Sequence, residues 1–268
     1  MDNRAPSFKS SFQHSFSIMG CVKVGCCGFP FKGGMKTYFE KFNLVELQST
    51  FYRLPKLSTA ENWRLQAPEG FEFTMKGFQG LTHPTSSPTW RRSGLKLNPE
   101  EAREVGLLRP TEVNYDFWEK TREVAEVLKA RIVVLQCPPS FTCTNENVKS
   151  MRVFLKTINR GGLILAWEPR HDSWKPDTVR ELCMELNLIH VVDPFKSETQ
   201  TYDVNPVYYR LHGLGSKMYR YKYTDDDLKT LYERYVKPVQ IRGLEVYILW
   251  NNIYMGEDAL RFKQMYSV

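Results

Sequence analysis

Residues 163–171 read Leu-Ile-Leu-Ala-Trp-Glu-Pro-Arg-His, an apolar run of strand length that ends in a glutamate, an arginine and a histidine. Apolar runs of this kind, followed by polar groups, recur along the whole chain. Short continuous apolar runs are typical of strands that are buried on both faces, as in a parallel sheet. The sequence predicts eight of them, at residues 22–25, 44–50, 71–76, 132–136, 163–168, 189–193, 207–212 and 246–251.

The segments between the predicted strands carry helical signals. Met35, Tyr38, Phe39 and Phe42 stand at i, i+3, i+4 and i+7, which is one face of an amphipathic helix. Capping boxes are predicted at Ser58-x-x-Glu61 and Thr224-x-x-Asp227. Alternating strands and helices require parallel pairing with crossover connections, and eight such units close into a barrel. The predicted fold class is α/β, a single (β/α)8 TIM barrel.

Two segments depart from a regular barrel. Residues 194–206, between the sixth and seventh predicted strands, show no helical stripe, so the sixth helix is expected to be degenerate. Residues 77–113 form a long excursion after the third strand, and long segments of this kind are often functional. This excursion is a candidate lid.

Length and composition set the outer limits of the fold. The 268 residues fit one barrel, and we expect a disordered tail at residues 1–20 and a barrel domain at residues 21–268. No apolar window is long enough for a membrane span or a secretory signal, and the six cysteines form no disulfide or zinc pattern. We therefore expect a cytoplasmic protein with reduced thiols. The net charge of +7 only weakly favours an anionic partner.

Polar groups stand at the ends of the predicted strands. In TIM barrels the chemistry lies at the C-terminal ends of the strands, so these groups are candidate site residues. The candidate catalytic residues are Glu46, Glu168, His171, Asp193 and His212. The candidate ligand-binding residues are Gln48, Lys76, Gln136, Arg170, Arg210, Asn251 and Asn252, together with Trp90, Arg91 and Arg92 of the excursion.

Three functions are compatible with these residues. The first is recognition of a phosphate-bearing or nucleic-acid ligand, with phosphodiester hydrolysis as the reaction, because Arg170 and Arg210 can each present a fork of donors to phosphate oxygens. The second is metal-free acid/base catalysis on a small sugar-like substrate, with Glu46 and Glu168 as a carboxylate pair and His212 as a proton shuttle. The third is a non-catalytic binder of an anion or nucleic acid.

Two further interpretations stay open. A divalent metal has candidate ligands in Glu46, Glu168, Asp193, His171, His212 and His83, although adjacent arginines would repel a cation. Alternatively, the polar ring is a self-satisfied salt-bridge network that closes the barrel top, with Glu46 or Glu168 pairing Arg210. His190, inside the sixth strand, is interpreted as a bystander.

Several motifs in order resemble one known family. They are Gly25-Cys26-Cys27-Gly28-Phe29, residues 45–55, Phe71-x-Phe73-x-x-Lys76, Gln136-x-Pro138-Pro139-Ser140-Phe141, Glu168-Pro169-Arg170-His171-x-x-Trp174, Tyr209-Arg210-Leu211-His212-Gly213 and Asn251-Asn252. They resemble the YecE-like family, domain of unknown function 72, over about residues 22–266. The resemblance implies a TIM barrel and no particular activity. Cys26-Cys27 stands where many members have Thr-Ser, and this variant looks most like archaeal members.

Overall fold

The computed structural model describes residues 19–268, and a parallel eight-stranded sheet forms its centre. The strands lie in the order β6-β5-β4-β3-β2-β1-β8-β7. Their bounds are β1 Val22–Cys26, β2 Leu44–Leu47, β3 Glu72–Lys76, β4 Ile132–Gln136, β5 Ile164–Glu168, β6 Leu188–His190, β7 Val207–Leu211 and β8 Val246–Trp250. The predicted TIM barrel is therefore confirmed.

The sheet closes between its two edge strands, β6 and β7, through a single parallel bridge. Val192, just beyond β6, pairs with Tyr209, and the backbone N–H of Arg210 donates to the Val192 carbonyl at 2.9 Å. Above this bridge, the backbone N–H of His212 donates to the Asp193 carboxylate at 3.1 Å. The pair of neighbouring strands with the fewest backbone contacts, β6 and β7, thus lies next to the candidate site residues Asp193 and His212.

Helices surround the sheet. Their bounds are α1 Gly34–Phe39, α2 Ser49–Tyr52, α3 Leu57–Gln66, α4 Pro99–Glu104, α5 Glu112–Leu128, α6 Asn145–Thr157, α7 Pro176–Glu185, α8 Asp225–Thr230, α9 Lys237–Ile241 and α10 Met255–Tyr266. A π-helical segment, Leu231–Val236, joins α8 to α9. The capping box at Thr224 and Asp227 is confirmed. The one predicted at Ser58 is wrong, because α3 begins two residues earlier than that cap requires, at Leu57, and its N-cap is Lys56.

The apolar residues form two layers, as strands buried on both faces require. On β4, Ile132 and Val134 face the barrel interior, whereas Val133 and Leu135 face the helices. Tyr208 and Tyr247 also fill the interior, with their rings stacked at 5.7 Å. The polar members of the same inward-facing rows therefore lie along the barrel axis.

Ion pairs occupy the N-terminal end of the barrel. Lys23 Nζ lies 2.6 Å from Glu72 Oε2, and Arg131 Nη2 lies 2.6 Å from Glu245 Oε2. The Tyr247 hydroxyl accepts a hydrogen bond from Arg131 at 2.6 Å and donates to Glu72. These charges satisfy one another.

The structure corrects the predicted second strand, residues 44–50. β2 ends at Leu47, and Ser49 begins the short helix α2. The Thr50 hydroxyl lies within hydrogen-bond distance of the carbonyl oxygens of Leu47 and Lys76, at 3.0 and 2.7 Å.

The structure describes both segments that depart from a regular barrel. Residues 191–206 form turns and no helix, so the predicted degenerate sixth helix is confirmed. The excursion after β3 contains short 3-10 turns at Gln79–Leu81 and Pro88–Arg92 followed by α4, and much of it is buried. It packs on α2, where the Gln79 amide donates to the Tyr52 carbonyl at 3.1 Å and Arg92 lies over the Tyr52 ring. Its role as a lid stays a prediction.

Residues 1–18, which include most of the predicted tail, lie outside the described residues. Within residues 19–268, no helix combines the length and the apolar character that a membrane span needs.

Candidate functional site

A buried arginine occupies the C-terminal end of the barrel. Arg210 of β7 has no exposed surface, and its guanidinium lies between two carboxylates, Glu46 of β2 and Glu168 of β5. Its Nη2 is 2.9 Å from Glu46 Oε1, and its Nη1 contacts Glu168 Oε2. Burial alone would lower the pKa of Arg210, but Glu168 and Glu46 outweigh it and raise that pKa, so the side chain stays charged.

Neutral side chains complete the hydrogen bonding of Arg210 and Glu46. Arg210 Nη1 donates to Gln136 at 3.3 Å, and Nη2 donates to Gln48 at 3.5 Å. The Tyr208 hydroxyl donates to Glu46 Oε2 at 2.8 Å, and the Gln48 amide donates to Glu46 Oε1. Four strands thus contribute to one hydrogen-bonded cluster on the barrel axis.

This cluster matches the interpretation of a salt-bridge network closing the barrel top, as far as Arg210 is concerned. Both Nη atoms of Arg210 have protein acceptors, and its Nε is sealed from solvent without a partner among residues 19–268. Direct ligand binding by Arg210 stays a prediction, and this arrangement does not favour it.

A second arginine continues the network toward solvent. Arg170 Nη2 lies 2.7 Å from Glu168 Oε1, and its Nε donates to the same oxygen at 2.8 Å. Burial alone would raise the pKa of Glu168, but Arg210 and Arg170 outweigh it and hold that pKa well below its usual range. The Arg170 side chain is 27% exposed, so it can reach a ligand while Glu168 holds it in place.

Lys76, the last residue of β3, has a different environment. Only 6% of it is exposed, its Nζ lies 3.7 Å from the Phe51 ring centre, and no carboxylate within residues 19–268 pairs with it. Burial, followed by the positive charge of Arg210, lowers the pKa of Lys76 to about 7. Near neutral pH this lysine is therefore a mixture of ammonium and free amine.

His212, at the end of β7, is backed by Asp193. Its Nδ1 lies 3.6 Å from Asp193 Oδ2, and its Nε2 lies 3.3 Å from Arg170 Nη2. Burial lowers the pKa of His212, although the contact with Asp193 opposes this effect. A neutral imidazole held between a carboxylate and a guanidinium can accept a proton from a ligand.

An open cavity of about 370 Å³ lies off the barrel axis, beside β5, β6 and β7. Glu168, Arg170, Asp193 and His212 line it. Lys196, from the segment that replaces the sixth helix, lines it too, with a side chain that is 42% exposed. These site residues therefore line open space on the β5, β6 and β7 side of the barrel.

The remaining predicted residues take other positions. His171 is exposed, with its Nδ1 2.8 Å from the Ser173 hydroxyl, and it lines a neighbouring cavity. Asn251 is partly exposed. Asn252 is buried and caps the turn after β8, where its amide donates to the Tyr221 carbonyl and its carbonyl accepts from Tyr254 N.

The aromatic and basic residues of the excursion do not join the network. The Trp90 indole is 9% exposed and donates to the His83 carbonyl at 3.0 Å. Arg92 stacks on the Tyr52 ring at 3.5 Å, and Arg91 is exposed. Trp90, Arg91 and Arg92 therefore form no displayed platform for bases.

The metal interpretation does not fit the arrangement of these side chains. Within the described part of the chain, no group of three or more His, Cys, Asp or Glu side chains is placed to hold an ion. Glu46 and Glu168 are engaged by Arg210, and the second nitrogen of His212 faces Arg170.

Sequence reasoning missed several groups at the mouth. Tyr208 lies two residues before Arg210, so strand alternation could have placed it in the barrel interior. The Cys27 thiol, which was not among the candidate site residues, donates to Glu46 at 3.4 Å. Lys196 and Tyr219 come from loops, where periodicity carries no signal.

Replacing Arg210 with methionine should destabilise the protein, because it leaves two buried carboxylates without their cation. Removing one partner of a buried pair costs about 3–5 kcal/mol. We expect urea unfolding at pH 7 to show a loss of this size for Arg210→Met and little change for Arg220→Met, which alters an exposed arginine. Adding Glu46→Gln and Glu168→Gln should recover much of the loss. An unchanged midpoint for Arg210→Met would contradict the network.

Replacing Lys76 with methionine should stabilise the protein, and the gain should depend on pH. The folded state binds the Lys76 proton less tightly than the unfolded chain, whose pKa is near 10.5, so the penalty is full below pH 7 and fades as pH rises toward 10.5. Urea unfolding of Lys76→Met and parent should therefore differ most at pH 6 and less at pH 9. Lys229→Met, at an exposed site on α8, is the control. A pH-independent difference would contradict the lowered pKa.

Comparison with known proteins identifies the family. The model of the family described as protein of unknown function DUF72 matches residues 28–267. The UPF0759 protein YunF of Bacillus subtilis (strain 168) is 25% identical over 257 residues, which cover 86% of this chain and 84% of that protein.

Solved structures agree. The crystal structure of a DUF72 family protein, TM1631 of Thermotoga maritima, has a TM-score of 0.70 at 26% identity, covering 92% of this chain and all of that one. Endonuclease IV of Thermus thermophilus has a TM-score of 0.51 at 10% identity, covering 91% and 99% of the two chains, and this likeness shows the fold alone. The archaeal source stays a prediction. This chain belongs to the DUF72 family.

Proposed function

We propose that this protein binds a small phosphate-bearing ligand in the cavity beside β5, β6 and β7, and that His212 exchanges a proton with that ligand. The observation that carries the proposal is the placement of Arg170. It is held by Glu168, it remains partly exposed, and it lines the cavity together with Lys196. An arginine fixed on one side by a carboxylate can present its other donors to a phosphate.

The charge balance supports an anionic ligand. Four cationic side chains face three carboxylates around the mouth, which leaves one positive charge in excess when Lys76 is protonated. They are Lys76, Arg170, Lys196 and Arg210 against Glu46, Glu168 and Asp193. A bound monoanionic phosphate group would offset that excess.

His212 supplies the chemistry in this proposal. Asp193 contacts its Nδ1, and the ring lines the cavity. Its Nε2 accepts from Arg170 Nη2 at 3.3 Å, so it becomes the base for a ligand hydroxyl when that guanidinium turns to the ligand phosphate. Arg170, 3.3 Å from that nitrogen, would stabilise the negative charge that develops on the deprotonated oxygen. This is metal-free acid/base chemistry, as in the second of the functions that the sequence allowed, but without Glu46 and Glu168 as the reacting pair, because Arg210 engages both.

A small ligand is favoured over a nucleic acid. The cavity of about 370 Å³ suits a small molecule, and Tyr219 is an exposed aromatic residue that lines it, whereas other aromatic residues that could stack bases are engaged elsewhere. Trp90 is buried, Tyr223 is 1% exposed, and the Tyr221 hydroxyl donates to Asp227. Phosphodiester hydrolysis and non-catalytic binding are the outcomes against which the proposal is tested.

Sulfate, a phosphate analogue that does not titrate near neutral pH, tests the binding step by isothermal titration calorimetry. We expect it to bind the parent protein and to bind Arg170→Gln about tenfold more weakly or worse, because a charged hydrogen bond is lost. The matched control is Arg152→Gln, at a partly exposed arginine on α6 that pairs with Glu181 and Glu185. Equal affinities for all three proteins, or none, would contradict the proposal.

Phosphorus NMR of the protein incubated with bis(4-nitrophenyl) phosphate distinguishes the proposal from phosphodiester hydrolysis. Our proposal expects no cleavage above the buffer rate. Release of 4-nitrophenyl phosphate that His212→Asn abolishes would instead favour phosphodiester hydrolysis.

A further inference from the structure

His190, interpreted from the sequence as a bystander, lies in the space left by the missing sixth helix. It alternates on β6 with Ile189 and Val191, which fill the barrel interior, so its ring points outward. There it contacts the segment that replaces the helix. The Thr199 hydroxyl donates to the His190 carbonyl at 3.0 Å, and the Thr201 hydroxyl accepts from the His190 backbone N–H at 2.9 Å.

The hydrogen bond to its ring determines the tautomer of His190. The backbone N–H of Gln200 donates to His190 Nδ1 at 3.0 Å. A backbone N–H can only donate, so Nδ1 must carry a lone pair, and the ring proton must lie on Nε2.

Burial also keeps this ring neutral. It lowers the pKa of His190 to about 4, even though the negative charge of Glu168 opposes the effect. The other charged groups that line the two cavities with the ring are Arg170, Asp172, Asp193, Lys196 and Glu198. His190 is therefore an uncharged donor over the physiological range of pH, with Nε2–H as the donating group.

That donor borders open space. His190 lines the cavity of about 370 Å³ and also a neighbouring one of about 580 Å³, which the residues around the missing helix enclose. Arg170 and Lys196 line both cavities. Within residues 19–268, Nε2 has no protein partner, and it is not among the unpartnered polar atoms that are sealed from solvent. A ligand group can therefore reach it.

We propose that the two cavities form one bipartite site, in which His190 Nε2–H donates to an uncharged oxygen of a phosphorylated sugar or polyol. The inference rests on the proposed function, because it places the phosphate at Arg170 and Lys196, which the cavities share. The second cavity then receives the hydroxyl-bearing part of the ligand. A neutral, fixed donor suits a hydroxyl or carbonyl oxygen and adds no charge to the site.

The affinities of two ligands for the parent protein and its variants test this division of the site. Inorganic phosphate occupies only the anion position, whereas ribose 5-phosphate would occupy both. We expect His190→Phe to weaken ribose 5-phosphate about 3- to 10-fold and to leave inorganic phosphate unchanged, as the loss of one neutral hydrogen bond implies. His190→Gln, which keeps a donor, should recover part of the affinity. Arg170→Gln should weaken both ligands.

The two proposals fail in different ways. If inorganic phosphate does not bind the parent protein, the anion site itself is wrong. If it binds, but ribose 5-phosphate binds no more tightly or is indifferent to His190→Phe, the bipartite site is overturned. Nitrogen-15 NMR of the parent protein gives a readout that needs no variant. We expect a protonated Nε2 and a bare Nδ1 from pH 5 to 8, and a His190 titration near pH 6.5 would overturn the inference.

Discussion

A guanidinium without any exposed surface, Arg210, is the constraint on which the rest of the site depends. A buried charge is tolerated only when it is paired and hydrogen-bonded, and here Glu46 and Glu168 supply the pairing from two other strands. Both carboxylates need further donors in turn, which Tyr208 and Arg170 provide. The barrel axis is therefore filled at its C-terminal end by charges that satisfy one another.

Because paired charges fill the barrel axis, the open cavity that the site residues line lies to one side of it. The outer member of the network, Arg170, faces solvent, and β6 is short and followed by turns instead of a helix. The missing helix leaves cavity space beside β5 and β6, and the loop that replaces it brings Lys196 there. The irregularity of the barrel and the position of the proposed site thus have the same structural origin.

The sequence predicts the barrel and most of the axial network, because both follow from strand periodicity. Glu46, Glu168 and Arg210 stand at strand ends in continuous apolar runs, so their convergence follows from the fold. The sequence named Arg210 as a partner of Glu46 or Glu168 but could not decide between that network and ligand binding, since burial depends on side chains from four strands. It also could not find the role of His190, because the hydrogen bond that fixes its ring comes from Gln200 in a segment without periodicity.

The central claim is that the anion position is off the axis, at Arg170 and Lys196, and not over Arg210. A crystal structure of the protein soaked with tungstate tests it most directly, because the anomalous signal of tungsten locates the anion independently of any variant. The account predicts a peak in the cavity beside β5, β6 and β7, within hydrogen-bond distance of Arg170. A peak on the barrel axis that displaces Glu46 or Glu168 from Arg210, or no peak at the C-terminal face, would contradict it.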